Sequence, residues 1–544
     1  MPTYFTTFIA SLVLIGSPVF AQGTENPRQA TPRPPVVAED VGTDGELPRG
    51  AVLRVGGLEE DALYGGMYRL LLTPDNKTLV TRDYSQTIRI WDVATAEVKH
   101  VLKGHESYVK ALEISPDGNY LISATGDPKE DVRVWDVNTG DQVRAVAGGG
   151  RLVQFLPDLT TLVIVSDTKI ANYDMATGGL LDEFPEVRIP LALSPDGKQL
   201  AAIRRQNAEK MILFDTATGK ELAELPGLTA DPVAVRFSSD GKLLAVAGRR
   251  EEFVRVWDIA QRKVVMTLNN AEATDEAQRY DVQDIAFTGD NRFVATGCWD
   301  HGVRIFELAS GEQISKLSGH KDKVVAVEFS PNGRMLVTGS AGRNDASAVL
   351  WRTDAAIAAS EFAADEINDE VLKTAFEQLG LEDPAEAYGA AGALVADPAE
   401  GLAFVKSQLG DSLTPAPVER IEALIGQLDS DDFGTREKAT EELVRLRAVA
   451  ETLLRKKLEE SLKPEVKFRI NKILETETPP SKLTAVQWRQ MQRLVYALEL
   501  LAAPERETAK QAREFLTLMS TGHEDVKVMR EAADAVERIV DEAE

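Results

Sequence analysis

Two places in this chain of 544 residues have side chains whose types and spacing could do chemistry. His320, Ser340 and Asp345 supply the base, nucleophile and orienting acid that acyl transfer uses. The run Cys298-Trp299-Asp300-His301 puts three metal-ligating residue types almost side by side. Neither pattern carries its chemistry further. A hydrolase also needs a nucleophile on a strained turn and donors for the oxyanion, and no such signal accompanies Ser340. A zinc site needs a second Cys/His pair at ligand spacing, but Cys298 is the sole cysteine, and the histidines are only 100, 105, 301, 320 and 523. Cys298 reads instead as a small buried hydrophobe. No catalytic residue, metal site or cofactor is expected.

Composition narrows the function classes further. Apolar residues make up 43% and charged residues 27%, as in ordinary globular proteins. With 87 acidic against 61 basic side chains the formal net charge is −26, which argues against gripping nucleic acid or an anionic membrane. A single cysteine also excludes an internal disulfide.

The elements that would have to position these side chains are repeats. A turn of the form Ser/Thr-Pro-Asp-Gly or a relative of it recurs, with its second residue at 74, 116, 157, 195, 239, 289 and 331. The residue two before it is Leu72, Ile114, Phe155, Leu193, Phe237, Phe287 or Phe329, and the residue four before is likewise always aliphatic. That is strand alternation running into a tight turn. A second strand follows each turn. A third ends in Trp91-Asp92, Trp135-Asp136, Tyr173-Asp174, Phe214-Asp215, Trp257-Asp258, Phe306-Glu307 or Trp351-Arg352. A short turn then leads to a fourth strand. Four short strands in a period of about 40 residues make one propeller blade. Residues 50–352 thus resemble the WD-repeat family in seven registers, which implies an all-β seven-bladed propeller. The last repeat stops after its third strand, so residues 51–55 are expected to supply the missing fourth strand and close the ring.

The family resemblance also implies roles for particular residues. In that family a His opening the blade bonds an Asp six residues before the Trp, and blade seven alone supplies both, as His320 and Asp345 with Trp351 and Thr338. These four are expected to form a structural network, which removes His320 and Asp345 from the catalytic reading. The family's partners commonly meet the face made by the blade-entry loops and the turns between second and third strands. On that face fall Tyr84, Trp299 and Asn344, each before the turn Asp position. Tyr108, Asp231, Asp281 and Lys323 fall three residues after the His position. Residues pointing from the innermost strands into the channel are Leu71, Glu113, Gln154, Ala192, Arg236, Ala286 and Glu328, a mixture that makes no ligand ring.

Residues 1–21 have an apolar stretch and end in Val19-Phe20-Ala21, the small-residue pattern of a secretory signal, although no Lys or Arg precedes Arg28. Residues 22–49 form a proline-rich linker. No later stretch reaches the ~18–20 apolar residues of a spanning helix, so an extracytoplasmic (periplasmic or secreted) protein is expected, with no transmembrane segment in the mature chain.

The propeller is assigned residues 50–355 and an all-α domain residues 363–544. From Glu361 the apolar period changes to about 3.6, and Asp383-Pro384 and Asp397-Pro398 each set an N-cap before a first-turn proline. Ten helices linked by short loops suggest stacked pairs folding independently of the propeller. The run 428–443, LDSDDFGTREKATEEL, resembles the HEAT-like tail of certain exported bacterial WD-repeat proteins. Residues 354–434 hold 18 acidic against 3 basic side chains, an acidic face on that helical region. The expected function is a non-enzymatic scaffold for protein partners. The alternative is a propeller that binds a small ligand or acts as a hydrolase or oxidoreductase in the cell envelope.

Overall fold

A computed structural model describes residues 47–540 except 49–50, 57–66, 83–85, 158, 167–168, 186–188, 205–206, 229, 271–280, 358–366, 411–412, 414–417, 459–462, 476–482, 504–505 and 524. The expected signal segment 1–21 and, apart from Leu47 and Pro48, the linker 22–49 lie outside these residues.

Seven four-stranded antiparallel sheets make the blades of a propeller. The recurring turn shows why each blade folds where it does. In blade two, Ser115 Oγ donates to Asp117 Oδ1 (2.5 Å) and accepts from Tyr120 N–H (2.9 Å). Asn119 N–H donates to the same carboxylate (3.1 Å), and Gly118 sits at φ +75°. The hydroxyl and carboxylate therefore satisfy donors that the reversing chain would otherwise strand. The pair recurs at Thr73–Asp75, Ser194–Asp196, Ser238–Asp240, Thr288–Asp290 and Ser330–Asn332.

Blade seven is closed from the far end of the chain. Its strand order places Ala51–Gly56 outside Ser347–Arg352, with Ala51 opposite Trp351 and Val55 opposite Ala348. The expected closing strand is the one the structure shows. An annular fold sealed this way leaves no free edge between the first and last blades.

Eleven helices follow among the described residues: α1 (Thr353–Ile357), α2 (Asp369–Gln378), α3 (Pro384–Ala396), α4 (Pro398–Leu409), α5 (Val418–Gln427), α6 (Phe433–Arg445), α7 (Arg447–Leu458), α8 (Pro464–Glu475), α9 (Ala485–Leu501), α10 (Ala509–Gly522) and α11 (Val526–Val540). Asp383 and Asp397 cap α3 and α4 as expected, each accepting from two backbone N–H groups in the first turn.

The helices are not a simple run of consecutive pairs. After α4 the chain builds a separate small core from α5 to α8, around Ile421, Leu428, Leu443, Leu454 and Ile470. It then returns with α9, which packs against both α3 and α11. The remaining helices share one continuous core with blades six and seven, in which Phe293, Ile314, Leu317 and Phe329 join Leu372, Leu394, Val495 and Leu498. The expectation of an independent tail is thereby corrected. Apolar periodicity shows that a helix has a face to bury, but not whether another helix or a blade will cover it.

Candidate interaction face and its buried networks

In a four-stranded antiparallel blade the first strand begins and the second strand ends at the same end of the sheet. Trp299 stands there, 36% exposed, at the end of strand Phe293–Cys298. Its backbone N–H donates to Asp281 O (3.1 Å), and Lys323 Nζ of the neighbouring blade lies 4.7 Å from its ring centre. An ammonium over an indole face is an attractive contact that also fixes the ring's orientation. Lys323 O in turn accepts from Ala341 N–H (3.0 Å), so the loops of blades six and seven brace one another. Tyr108 is 53% exposed in the loop entering blade two. Asp231 and Asn344 are also exposed on this end, and Asn344 N–H contacts Asp322 Oδ2 at 3.5 Å. Asp281 is a correction, because it is only 9% exposed and supports the Trp299 loop from beneath rather than facing a partner. Tyr84 lies outside the described residues.

Beneath the face lies the blade-seven network. His320 Nδ1 is 2.9 Å from Asp345 Oδ2, and Nε2 is 2.8 Å from Thr338 Oγ1, which also accepts from Trp351 Nε1–H (2.8 Å). All four side chains are buried. Burial works to raise the Asp345 carboxyl, but the bond and charge of His320, the Ser347 hydroxyl and Lys321 N–H outweigh it and hold it well below the usual carboxylate range. Ser340 gives its hydroxyl to Asp345 O (3.1 Å), so it is engaged with a backbone carbonyl while His320 is held by Thr338. The arrangement ties the entry loop to the third strand and activates no nucleophile.

Blade seven is not alone in this. In blade two, His105 Nε2 is 2.8 Å from Ser123 Oγ, which accepts from Trp135 Nε1–H (2.8 Å), and Glu130 Oε2 is 3.4 Å from His105 Nδ1. Glu106 N–H donates to Glu130 (3.1 Å) as Lys321 N–H does to Asp345 (2.9 Å). The acid sits five residues before the Trp rather than six, and its longer side chain makes up the difference. A search for Asp at a fixed spacing misses it. Burial pushes the His105 imidazole down, and Arg133 adds to that, against the opposing pull of Glu130.

Blade six diverges. There Thr296, the counterpart of Thr338, donates to Asn270 Oδ1 (2.6 Å), which also contacts Cys298 Sγ (3.5 Å). Asp300 pairs with Arg304 (2.6 Å) deep in the blade, while His301 is exposed at φ +67°. Burial pushes the Cys298 thiol up to about 12. The three ligand types therefore point apart. Among the described residues no group of three His, Cys, Asp or Glu could hold a metal ion.

The channel holds more order than its residue types suggest. Glu113, Arg69, Glu328, Arg236 and Asp284 form a ladder of alternating charge, with steps of 3.8, 3.4, 3.6 and 3.5 Å. It joins blades two, one, seven, five and six. Enclosure in the channel pushes the Glu113 carboxyl up to about 7, with Arg69 working against the rise and Glu328 adding to it. Arg69 and Asp284 were not in the sequence-derived channel set. Each precedes the chosen strand position by two residues, on the same side of its strand.

This is the architecture of a β-propeller with four strands per blade. The chain matches the WD domain, G-beta repeat model at residues 96–136, 219–258, 272–307 and 311–352, so most matched repeats run from the outer strand of one blade through three strands of the next. It is 23% identical to a guanine nucleotide-binding protein subunit beta of Zea mays, over 53% of this chain and 69% of that protein. It is 27% identical to the WD repeat-containing protein WDS homolog of Arabidopsis thaliana, over 51% of this chain and 53% of the relative. It is 24% identical to Autophagy-related protein 16 of Arabidopsis thaliana, over 51% and 47%. The propeller thus carries repeats of the WD type in the segments matched.

Proposed function

We propose that this chain is a non-enzymatic scaffold that binds a protein partner on the face carrying Trp299. The observation that carries the reading is the half-exposed indole held under Lys323 at a braced junction of two blades. Large aromatics fixed in place at low entropic cost are the residues that dominate protein interfaces. The relative named a protein "subunit" is by that name part of an assembly, which supports the same reading. The helical region is read as HEAT-like from the run 428–443, and the protein as exported from the pattern of residues 1–21, in keeping with bacterial proteins that pair these modules.

The test is to change Trp299 and Tyr108 separately to Ala, then measure melting and crosslinked partner capture from the envelope fraction. Loss of capture at unchanged melting supports the face. Undiminished capture, or a collapse in melting temperature, would place these rings in the framework instead. Export is tested separately by sequencing the N-terminus of the mature protein, where a start at Gln22 is expected.

A further inference from the structure

A second surface lies on the helical region, away from the propeller face. Helices α2 and α3 leave between them a groove of about 670 Å³, floored by Ala375, Ala385, Gly389 and Ala393 and bordered by Glu370 and Glu386. Its walls are anchored from behind. Arg493 of α9 donates to Leu379 O (2.9 Å) and Leu381 O (2.8 Å) in the α2–α3 turn, and Gln490 donates to Phe376 O (2.7 Å). Tyr388 of α3 donates to Glu307 of the propeller (3.1 Å). The groove is therefore held open by packing on its far side, so an occupant would not have to order its walls.

Gly389 points to what the groove is for. It sits mid-helix with no left-handed φ, and a Cβ there would meet nothing within 4 Å. Neither backbone conformation nor crowding within the chain calls for glycine, yet glycine in a helix costs about 0.5–1 kcal/mol relative to alanine. With Ala385 and Ala393 one turn to either side, it makes a flat floor on which another backbone can approach closely. The acidic borders belong to a region with 18 acidic and 3 basic side chains, so the occupant's flanks must be basic. No buried polar group of the floor converges to orient a small molecule. The walls instead run for about two helical turns.

We infer that the α2–α3 groove docks a basic amphipathic helix of a partner protein, its apolar ridge against Gly389 and its Lys or Arg side chains against Glu370 and Glu386. This is helix-in-groove recognition, independent of the Trp299 face.

The probe is a fluorescent amphipathic peptide of Ala, Leu and Lys, about five turns long, titrated into the full chain. Saturable binding in the range of about 1–100 μM is expected, and a scrambled peptide of equal charge should bind at least about tenfold more weakly. Gly389→Phe fills the groove from an open position and should weaken binding about tenfold or more with melting unchanged. Gly389→Ala should raise the melting temperature, confirming that the position is open. Should Gly389→Phe disturb folding, Glu370→Lys with Glu386→Lys, both exposed, must produce the same loss. Absence of saturable binding below about 1 mM, equal binding of the scrambled peptide, or indifference to both sets of changes would overturn the inference. So would wild-type self-association that Gly389→Phe abolishes, because the occupant would then be a second copy of this chain. The Trp299→Ala variant should bind the peptide normally, which separates the two surfaces.

Discussion

Glu307 and Arg493 meet in a two-pronged ion pair, Nε to Oε1 at 3.1 Å and Nη2 to Oε2 at 3.0 Å, where the propeller touches the helices. In blades one to five the equivalent residue is Asp, which turns back to accept from its own turn, as Asp92 does from Ala94 and Thr95 N–H and Asp136 from Asn138 and Thr139 N–H. Glu307 is one methylene longer and reaches outward. Its Oε1 also accepts from Tyr388 OH (3.1 Å), and Tyr388, Phe293 and Tyr496 stack edge to face with ring centres 5.3–5.5 Å apart. Burial and the adjacent Glu307 charge hold the Tyr388 phenol well above its usual range, so it stays a donor. A degenerate repeat ending has become the anchor of the second region.

Because Arg493 is fully buried, removing either partner should cost more than the pair itself contributes. Arg493→Ala leaves Glu307 charged with only Tyr388 to meet it, and should lower stability by about 3–5 kcal/mol. Chemical denaturation checks this. Glu307→Asp should also destabilise, because the shorter side chain can return to its turn and abandon Arg493. A loss under about 1 kcal/mol for both would mean that the interface is held by its apolar contacts alone.

How much of this was legible follows from what a repeat can encode. The blades were legible because strand alternation recurs in seven registers and the hydroxyl–carboxylate or hydroxyl–amide turn in six of them, and the closing strand followed from a missing one. The blade-seven tetrad followed from His320, Asp345, Thr338 and Trp351 standing at the family's spacings. Glu130 was missed because hydrogen-bond reach, not sequence offset, decides which acid meets His105. Arg69–Glu328 and Arg236–Glu328 were missed because ring closure brings together residues from blades that are far apart in sequence. The docking of α3 and α9 on blade six had a signal, the Glu in Phe306-Glu307, that reads as decay of the motif until its partner is seen.

Removing the helices should expose apolar blade surface. A chain ending after Ile357 leaves Phe293, Ile314 and Leu317 without α3 and α9, and should melt lower and bind more apolar dye than the full chain. The helical region expressed alone should likewise lose cooperativity, with the α5–α8 core as its most protected part in hydrogen exchange. Equal cooperativity in whole and parts would refute a shared core.

Thr338 serves two buried donors and acceptors at once. Thr338→Val removes the oxygen that both Trp351 and His320 contact, and should cost about 1–3 kcal/mol for each group left unpaired, whereas Thr338→Ser should be tolerated. Asp345 adds an acid dependence. Its pKa is depressed in the fold, so its stabilisation is present above the unfolded value of 3.8 and is lost as pH falls through the lower folded one. Asp345→Asn should be less stable than wild type at pH 7 and should show a shallower loss of stability on acidification below about pH 4. Parallel stability curves for the two proteins would contradict the assignment.

Glu113 predicts the opposite sign at higher pH. Its carboxyl titrates near 4.5 when unfolded and about 7 in the channel, so the folded state keeps a proton that the unfolded state has released. Between those values stability must fall as pH rises, and the decline ends once the folded group has ionised. The groups facing it are Arg69, Glu328 and Arg236, of which the two guanidiniums stay charged throughout. Glu113→Gln keeps the shape and removes the titration, so its stability between pH 5 and pH 8 should be flatter than that of wild type. The difference is read from urea midpoints measured on both proteins across that range. It should persist in high salt, because the largest cause of the rise is removal of the carboxyl from water, which ions do not screen, while the charges of Arg69 and Arg236 work against it. If the two proteins instead follow one curve, Glu113 is ionised in the fold at every pH tested, and the ladder carries its full negative charge even in mild acid.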